Sequence, residues 1–137
     1  MIKNRSFQAM KTAVAAGLAL AAVFVLLACL LPWLAVDSLY RETSGLIEGA
    51  KLDALSGDFG SAYEKSALVL EKVKRREHRL MLFYDHGDIA ELTGGIDTAL
   101  DLAKEGDAGL LLAALGDAEN MFEYLIGINE ISIFNLL

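Results

Sequence analysis

Cysteine, proline and tryptophan are nearly missing from this 137-residue chain, which has one of each, at Cys29, Pro32 and Trp33. A single thiol excludes an intramolecular disulfide framework and any zinc site built from several cysteines. Cations are also scarce: 12 Lys and Arg stand against 19 Asp and Glu, for a net charge of −7. General nucleic-acid binding is therefore not expected, because neutralising phosphates takes clustered Lys and Arg. No G-x-S-x-G nucleophile motif, phosphate loop or dinucleotide fingerprint is present, so no catalytic residue and no cofactor is expected. What the chain does have is 55% apolar residues, too many for a disordered segment, in a length that suits one domain.

Those apolar residues are unevenly spread. Residues 12–36 form an uncharged run of 25, TAVAAGLALAAVFVLLACLLPWLAV, that as a helix would reach about 37 Å, enough to cross a bilayer. Lys3, Arg5 and Lys11 precede it and Asp37 follows, an asymmetry that predicts a cytoplasmic N-terminus and an extracytoplasmic remainder. The expected division is a basic N-terminus at 1–11, a transmembrane signal anchor at 12–36 and a helical domain at 37–137. The length of the run favours an uncleaved anchor over a cleaved signal peptide. Leu26, Leu27, Ala28 and Cys29 partly match a lipobox, which leaves a lipoprotein anchored through Cys29 as an alternative, although Cys29 also suits a membrane helix as a small apolar residue.

Beyond the run, apolar residues recur at helical spacing and no segment alternates as a half-buried strand would. The periodicity predicts helices over about 37–56, 59–84, 89–104 and 109–126, the first able to run straight out of the membrane. Short connections between four amphipathic helices predict an all-α fold: an N-terminal transmembrane helix, then an antiparallel four-helix bundle of two stacked hairpins in tetratricopeptide-like geometry. Between each successive pair of helices stands one Gly-Asp, at 57–58, 87–88 and 106–107. Gly is expected to end one helix in the left-handed conformation, with Asp58, Asp88 and Asp107 capping the next and Glu91 completing a capping box with Asp88. Gly45, Gly49, Gly94, Gly95 and Gly116 fall inside helices, where close helix crossings would offset their cost. Gly45 and Gly49 could alternatively mark contact with a second chain.

Charge divides the domain. Residues 85–137 hold eleven acids and one base, Lys104, whereas Lys72, Lys74, Arg75, Arg76 and Arg79 crowd the second helix. The simplest expectation is that the two faces oppose each other inside the bundle; a basic patch for anionic lipid or polymer is the functional alternative. His78, Asp85, His86 and Glu91 are the weak metal-ligand candidates. A structural account competes, with His86 near a helix C-terminus favouring the dipole.

The stretch LMLFYDHGDIAE and the ending INEISIFNLL resemble a family of small single-span proteins from endospore-forming Gram-positive bacteria, domain of unknown function four-three-six-three. Phe83, Asp85, His86 and Ile89 match its F-x-D-H-x-x-I block, and Glu130, Ser132 and Asn135 its ending with a one-residue difference in spacing. Leu80, Met81 and Leu82 stand where that family carries a Trp. The resemblance implies an anchored helical architecture and no reaction.

The ending is mostly apolar, and we expect it to fold back along the bundle beside Phe83, with docking on a membrane partner as the alternative. Phe83, Tyr84, Ile131, Ile133 and Phe134 are the interaction candidates. The functional expectation is a non-catalytic module anchored in the cytoplasmic membrane, whose partners are the lipid bilayer and a membrane or envelope protein. A ligand- or metal-sensing domain is the alternative.

Overall fold

The computed structural model describes the backbone of residues 2–134 and the side chains of residues 7–130. The described residues form helices α1 (Ile2–Ser56), α2 (Phe59–Leu80), α3 (His86–Glu105) and α4 (Ala108–Phe134). The anchor and the first domain helix are thus one element, running through Pro32 without a break. Nothing in the backbone marks a boundary at residues 36–37.

What changes along α1 is its surroundings. Almost every side chain from Phe7 to Leu31 is exposed, apolar ones such as Leu20 and Phe24 included. From Pro32 on, one stripe is buried: Pro32, Val36, Leu39, Thr43, Ile47, Ala50 and Ala54, three or four residues apart. A helix apolar all round with no protein against it matches lipid, and one with a single apolar stripe matches a bundle. α1 is the one described helix long and apolar enough to cross a membrane.

Each helix packs against two neighbours, α1 on α2 and α4, and α3 on α2 and α4. The two hairpins stack, and the return of α4 to α1 closes the ring. The core joins the α1 stripe to Ala62, Val69, Val73 and Leu80 of α2, Ile89, Leu92, Ile96 and Ala99 of α3, and Leu111, Leu115, Phe122 and Leu125 of α4. Two hydroxyls share it without penalty, because Thr43 donates to the Leu39 carbonyl at 2.9 Å and Ser66 to that of Ala62 at 2.8 Å. We call the end where the apolar part of α1 leaves the bundle basal, and the opposite end distal.

The distal turns follow the sequence reading. Gly57 (φ 81°) and Gly106 (φ 75°) are left-handed, Asp58 accepts from the Ser61 N–H at 3.0 Å, and Asp107 from that of Leu110 at 2.9 Å. The basal turn does not. α2 stops at Leu80, four residues early, and α3 starts three residues early, with Asp85 as its cap accepting from the Gly87 N–H at 2.7 Å. Asp88 is therefore no cap but a first-turn acid favouring the dipole, and its capping box with Glu91 does not form. Gly87 is helical, and a methyl group there would lie 2.9 Å from the Asp85 carboxylate. His86 occupies the start of α3, the opposite dipole end from the one expected.

Two further expectations fail. Added Cβ atoms at Gly45, Gly94, Gly95 and Gly116 would meet nothing within 4 Å, so these glycines do not serve close crossings; only Gly49 is tight, against the Lys65 side chain. The described part of the C-terminal segment does not fold back either, since α4 continues helical to Phe134. With 27 residues against 20 in α3, α4 projects past the α3 N-terminus at the basal end. The side chains of Ile131, Ile133 and Phe134 lie outside the described residues.

Candidate functional site

The basal end gathers the features that the packing of four amphipathic helices does not require. Its centre is Tyr84, in the turn between α2 and α3. Leu80 and Ile89 on either side are fixed in the core, so the short turn between them carries Tyr84 inward and leaves Leu82 and Phe83 at its tip. Tyr84 is 9% exposed, its hydroxyl donates to the Pro32 carbonyl at 3.1 Å, and Asn129 Nδ2 donates to that hydroxyl. The same Asn129 amide bonds the Leu125 carbonyl at 3.0 Å. Burial raises the Tyr84 pKa, outweighing the opposing Asn129 bond, so the phenol stays protonated and able to donate. The network ties α1, the turn and α4 together five residues before Asp37. Tyr84 is consequently a tie within the fold and not a contact surface as expected, whereas Phe83 is 44% exposed and Leu82 77%.

Beside this network, Ala35 and Ser38 of α1 with Arg76, Arg79 and Leu80 of α2 line a cavity of about 170 Å³. Arg76 Nη2 donates to Glu42 Oε1 at 2.6 Å, while its Nη1 is shut off from solvent with no hydrogen-bond partner. The Arg76 bond, helped by Lys72 at 3.6 Å, holds the Glu42 carboxyl below its usual range. Arg79 makes no ion pair among the described residues. The basic run of α2 thus addresses Glu42 of α1, with Arg75 on Glu71 of its own helix, and does not face the acids of α3 and α4 as expected. Those acids stay on the outside: Asp97, Asp101, Glu105, Asp117 and Glu123 are exposed.

Elsewhere ion pairs lock α1 to its neighbours. Burial alone would lower the Lys51 pKa, but Lys51 reaches Glu119 of α4, whose hydrogen bond and charge, with those of Glu48, raise it. Lys65 reaches Asp53 at 2.5 Å, and this bond, with a second from Ser61, depresses the Asp53 pKa.

The weak metal candidates are not assembled. His78, Asp85, His86 and Glu91 are all exposed, the Asp85 carboxylate is engaged as a cap, and no three His, Cys, Asp or Glu side chains among the described residues converge on a metal position. Glu91 instead lines a groove of about 540 Å³ between α3 and α4 with Gly95, Asp117, Ala118, Asn120 and Met121.

Comparison with family models, curated proteins and solved structures found no match. The class of protein therefore rests on fold alone: an all-helical bundle with one candidate membrane-spanning helix. Sequence reading missed the Pro32, Tyr84 and Asn129 network and the Arg76 cavity. The available signal was the lone proline near an apolar run's end, with a tyrosine in a later turn and an asparagine on an otherwise apolar stretch of α4.

Proposed function

We propose that this protein is a non-catalytic helical module, fixed upright on the outer face of the cytoplasmic membrane, that binds another membrane or envelope protein. One observation carries the reading: the apolar segment and the first bundle helix are a single uninterrupted helix, so the bundle stands on its anchor with no flexible linker between. Such a mount suits a partner held at fixed height and orientation above the bilayer. The Lys and Arg before the apolar run and the acid after it support a cytoplasmic N-terminus, with residues 37–137 outside. The exposed acids of α3 and α4, the Leu82 and Phe83 tip, and the projecting end of α4 are the surfaces offered to a partner. The residues after Cys29, Leu30, Leu31, Pro32, Trp33 and Leu34, are apolar where a lipoprotein has a polar tether, which favours the uncleaved anchor over lipidation.

In-cell crosslinking of the full-length protein, with mass spectrometry of the adducts and of the N-terminus, tests this reading. An intact anchor and one recurring membrane partner are expected; a chain processed at Cys29, or one with no recurring adduct, overturns it. A second reading, small-ligand sensing, draws support from the α3 and α4 groove, whose Glu91, Asp117 and Asn120 suit a cationic group. Under that reading Asp117→Asn would abolish ligand-induced thermal stabilisation without weakening the fold.

A further inference from the structure

We infer that the cavity between α1 and the end of α2 is a binding site for a phosphate group, supplied by an anionic phospholipid headgroup. Three independent observations converge there. The first is chemistry: Arg76 and Arg79, one helical turn apart, both line the cavity, and Ser38 adds a hydroxyl. The second is an unmet donor, since Arg76 Nη1 is buried with no acceptor while Nη2 is held by Glu42. A desolvated N–H without a partner is costly, and an anion seated beside it removes that cost. Holding Nη2 on Glu42 also fixes the guanidinium plane, so little side-chain freedom remains to be lost on binding.

The third observation is height. Ala35 and Ser38 flank Asp37, the first charge after the uncharged run 12–36, which is the level where a bilayer's headgroups meet water. The Tyr84 bond to Pro32 brings the end of α2 down to that level, with Leu82 and Phe83 exposed at the tip to enter the apolar boundary. Lys72, Arg76 and Arg79 outnumber Glu42, so the site stays net positive on a net acidic protein. A fixed phosphate there would add a second point of attachment between bundle and bilayer, preventing rotation about the axis of α1.

The inference rests on α1 crossing the bilayer, which alkaline extraction of membranes tests separately and which does not depend on either arginine. The site itself is tested by native mass spectrometry of the detergent-purified full-length protein, with phosphatidylglycerol, phosphatidylcholine or inorganic phosphate added in turn. Wild type is expected to retain one phosphatidylglycerol in preference to phosphatidylcholine. Arg79→Gln, which breaks no ion pair, and Arg76→Gln should each weaken that retention about tenfold or more, the scale of one charge-assisted hydrogen bond. Lys74→Gln, on an exposed position elsewhere on α2, should leave it unchanged. Retention of inorganic phosphate with the same arginine dependence, but no lipid preference, would assign the cavity to a free anion and overturn the lipid source. Equal loss in Lys74→Gln, or no retention of either phosphate probe, would overturn the site.

Discussion

Replacing Tyr84 with Phe removes one hydroxyl and leaves the ring in place, which isolates the network that ties the bundle to its anchor. Two bonds are lost, the donation to the Pro32 carbonyl at 3.1 Å and the acceptance from Asn129. Their costs are unequal. The Pro32 carbonyl is a helix acceptor that can do without a second donor, while one Asn129 N–H is stranded in a partly buried place, its sister still held by Leu125 at 3.0 Å. A net hydrogen bond is worth about 1 kcal/mol and a stranded donor somewhat more, so Tyr84→Phe should destabilise by about 1 to 2 kcal/mol. For a domain of this size that lowers Tm by roughly 4 to 8 °C per kcal/mol. Asn129→Ala should cost about 1 kcal/mol, and the double variant about 0.5 to 1 kcal/mol less than the sum, because the same bond is counted twice. Trp33, the chain's one tryptophan and next to Pro32, reports the melt by fluorescence in micelles without contribution from the anchor's own helicity. If Tyr84→Phe melts like wild type, or if the two single effects merely add, the network does not tie the basal end and the reasoning fails.

The capping assignment separates two neighbouring acids: Asp85→Ala should lose about 1 kcal/mol of stability in denaturant unfolding, and Asp88→Ala only a few tenths. Equal losses would return the cap to Asp88. Gly94 is exposed in mid-helix with open space around its Cα, so Gly94→Ala should raise stability by about 0.5 to 1 kcal/mol, read as a higher Tm; a drop would mean that the helix surface there is occupied. Acid unfolding has a defined sign. The pKa values of Asp53 and Glu42 are depressed by Lys65 and Arg76, so their stabilisation is present above the unfolded carboxylate range near pH 4 and is lost as pH falls through the lower folded values. Stability should thus be flat from about pH 7 to 5 and fall below about pH 4. Asp53→Asn should flatten the acid limb, and an unchanged limb would remove Asp53 from the account.

The distal half of the bundle was legible because its signals are local. Gly57 and Asp58, or Gly106 and Asp107, need only their own backbone to end one helix and start the next, whatever packs nearby. At the basal turn the same Gly-Asp pair misled. Asp85 is already placed to cap, and Leu80, Tyr84 and Ile89 must all reach the core, so α3 begins at His86 and Gly87 is drawn into the helix. Tertiary burial overrode a sound local motif. The glycines inside helices misled in the opposite direction, since a small residue permits close approach without requiring it.

Local spacing was enough to show that the chain is helical, where it can cross a membrane and how the distal turns close. These depend on spacing and on residues within a turn of one another. The way the helices pack decided that Tyr84 joins Pro32 and Asn129 across separations of 52 and 45 residues, and that Arg76 turns toward Glu42 rather than the acids of α3 and α4. Periodicity states which face of a helix is buried; the neighbour that buries it, and the donor left facing a cavity, are set by how the four faces meet.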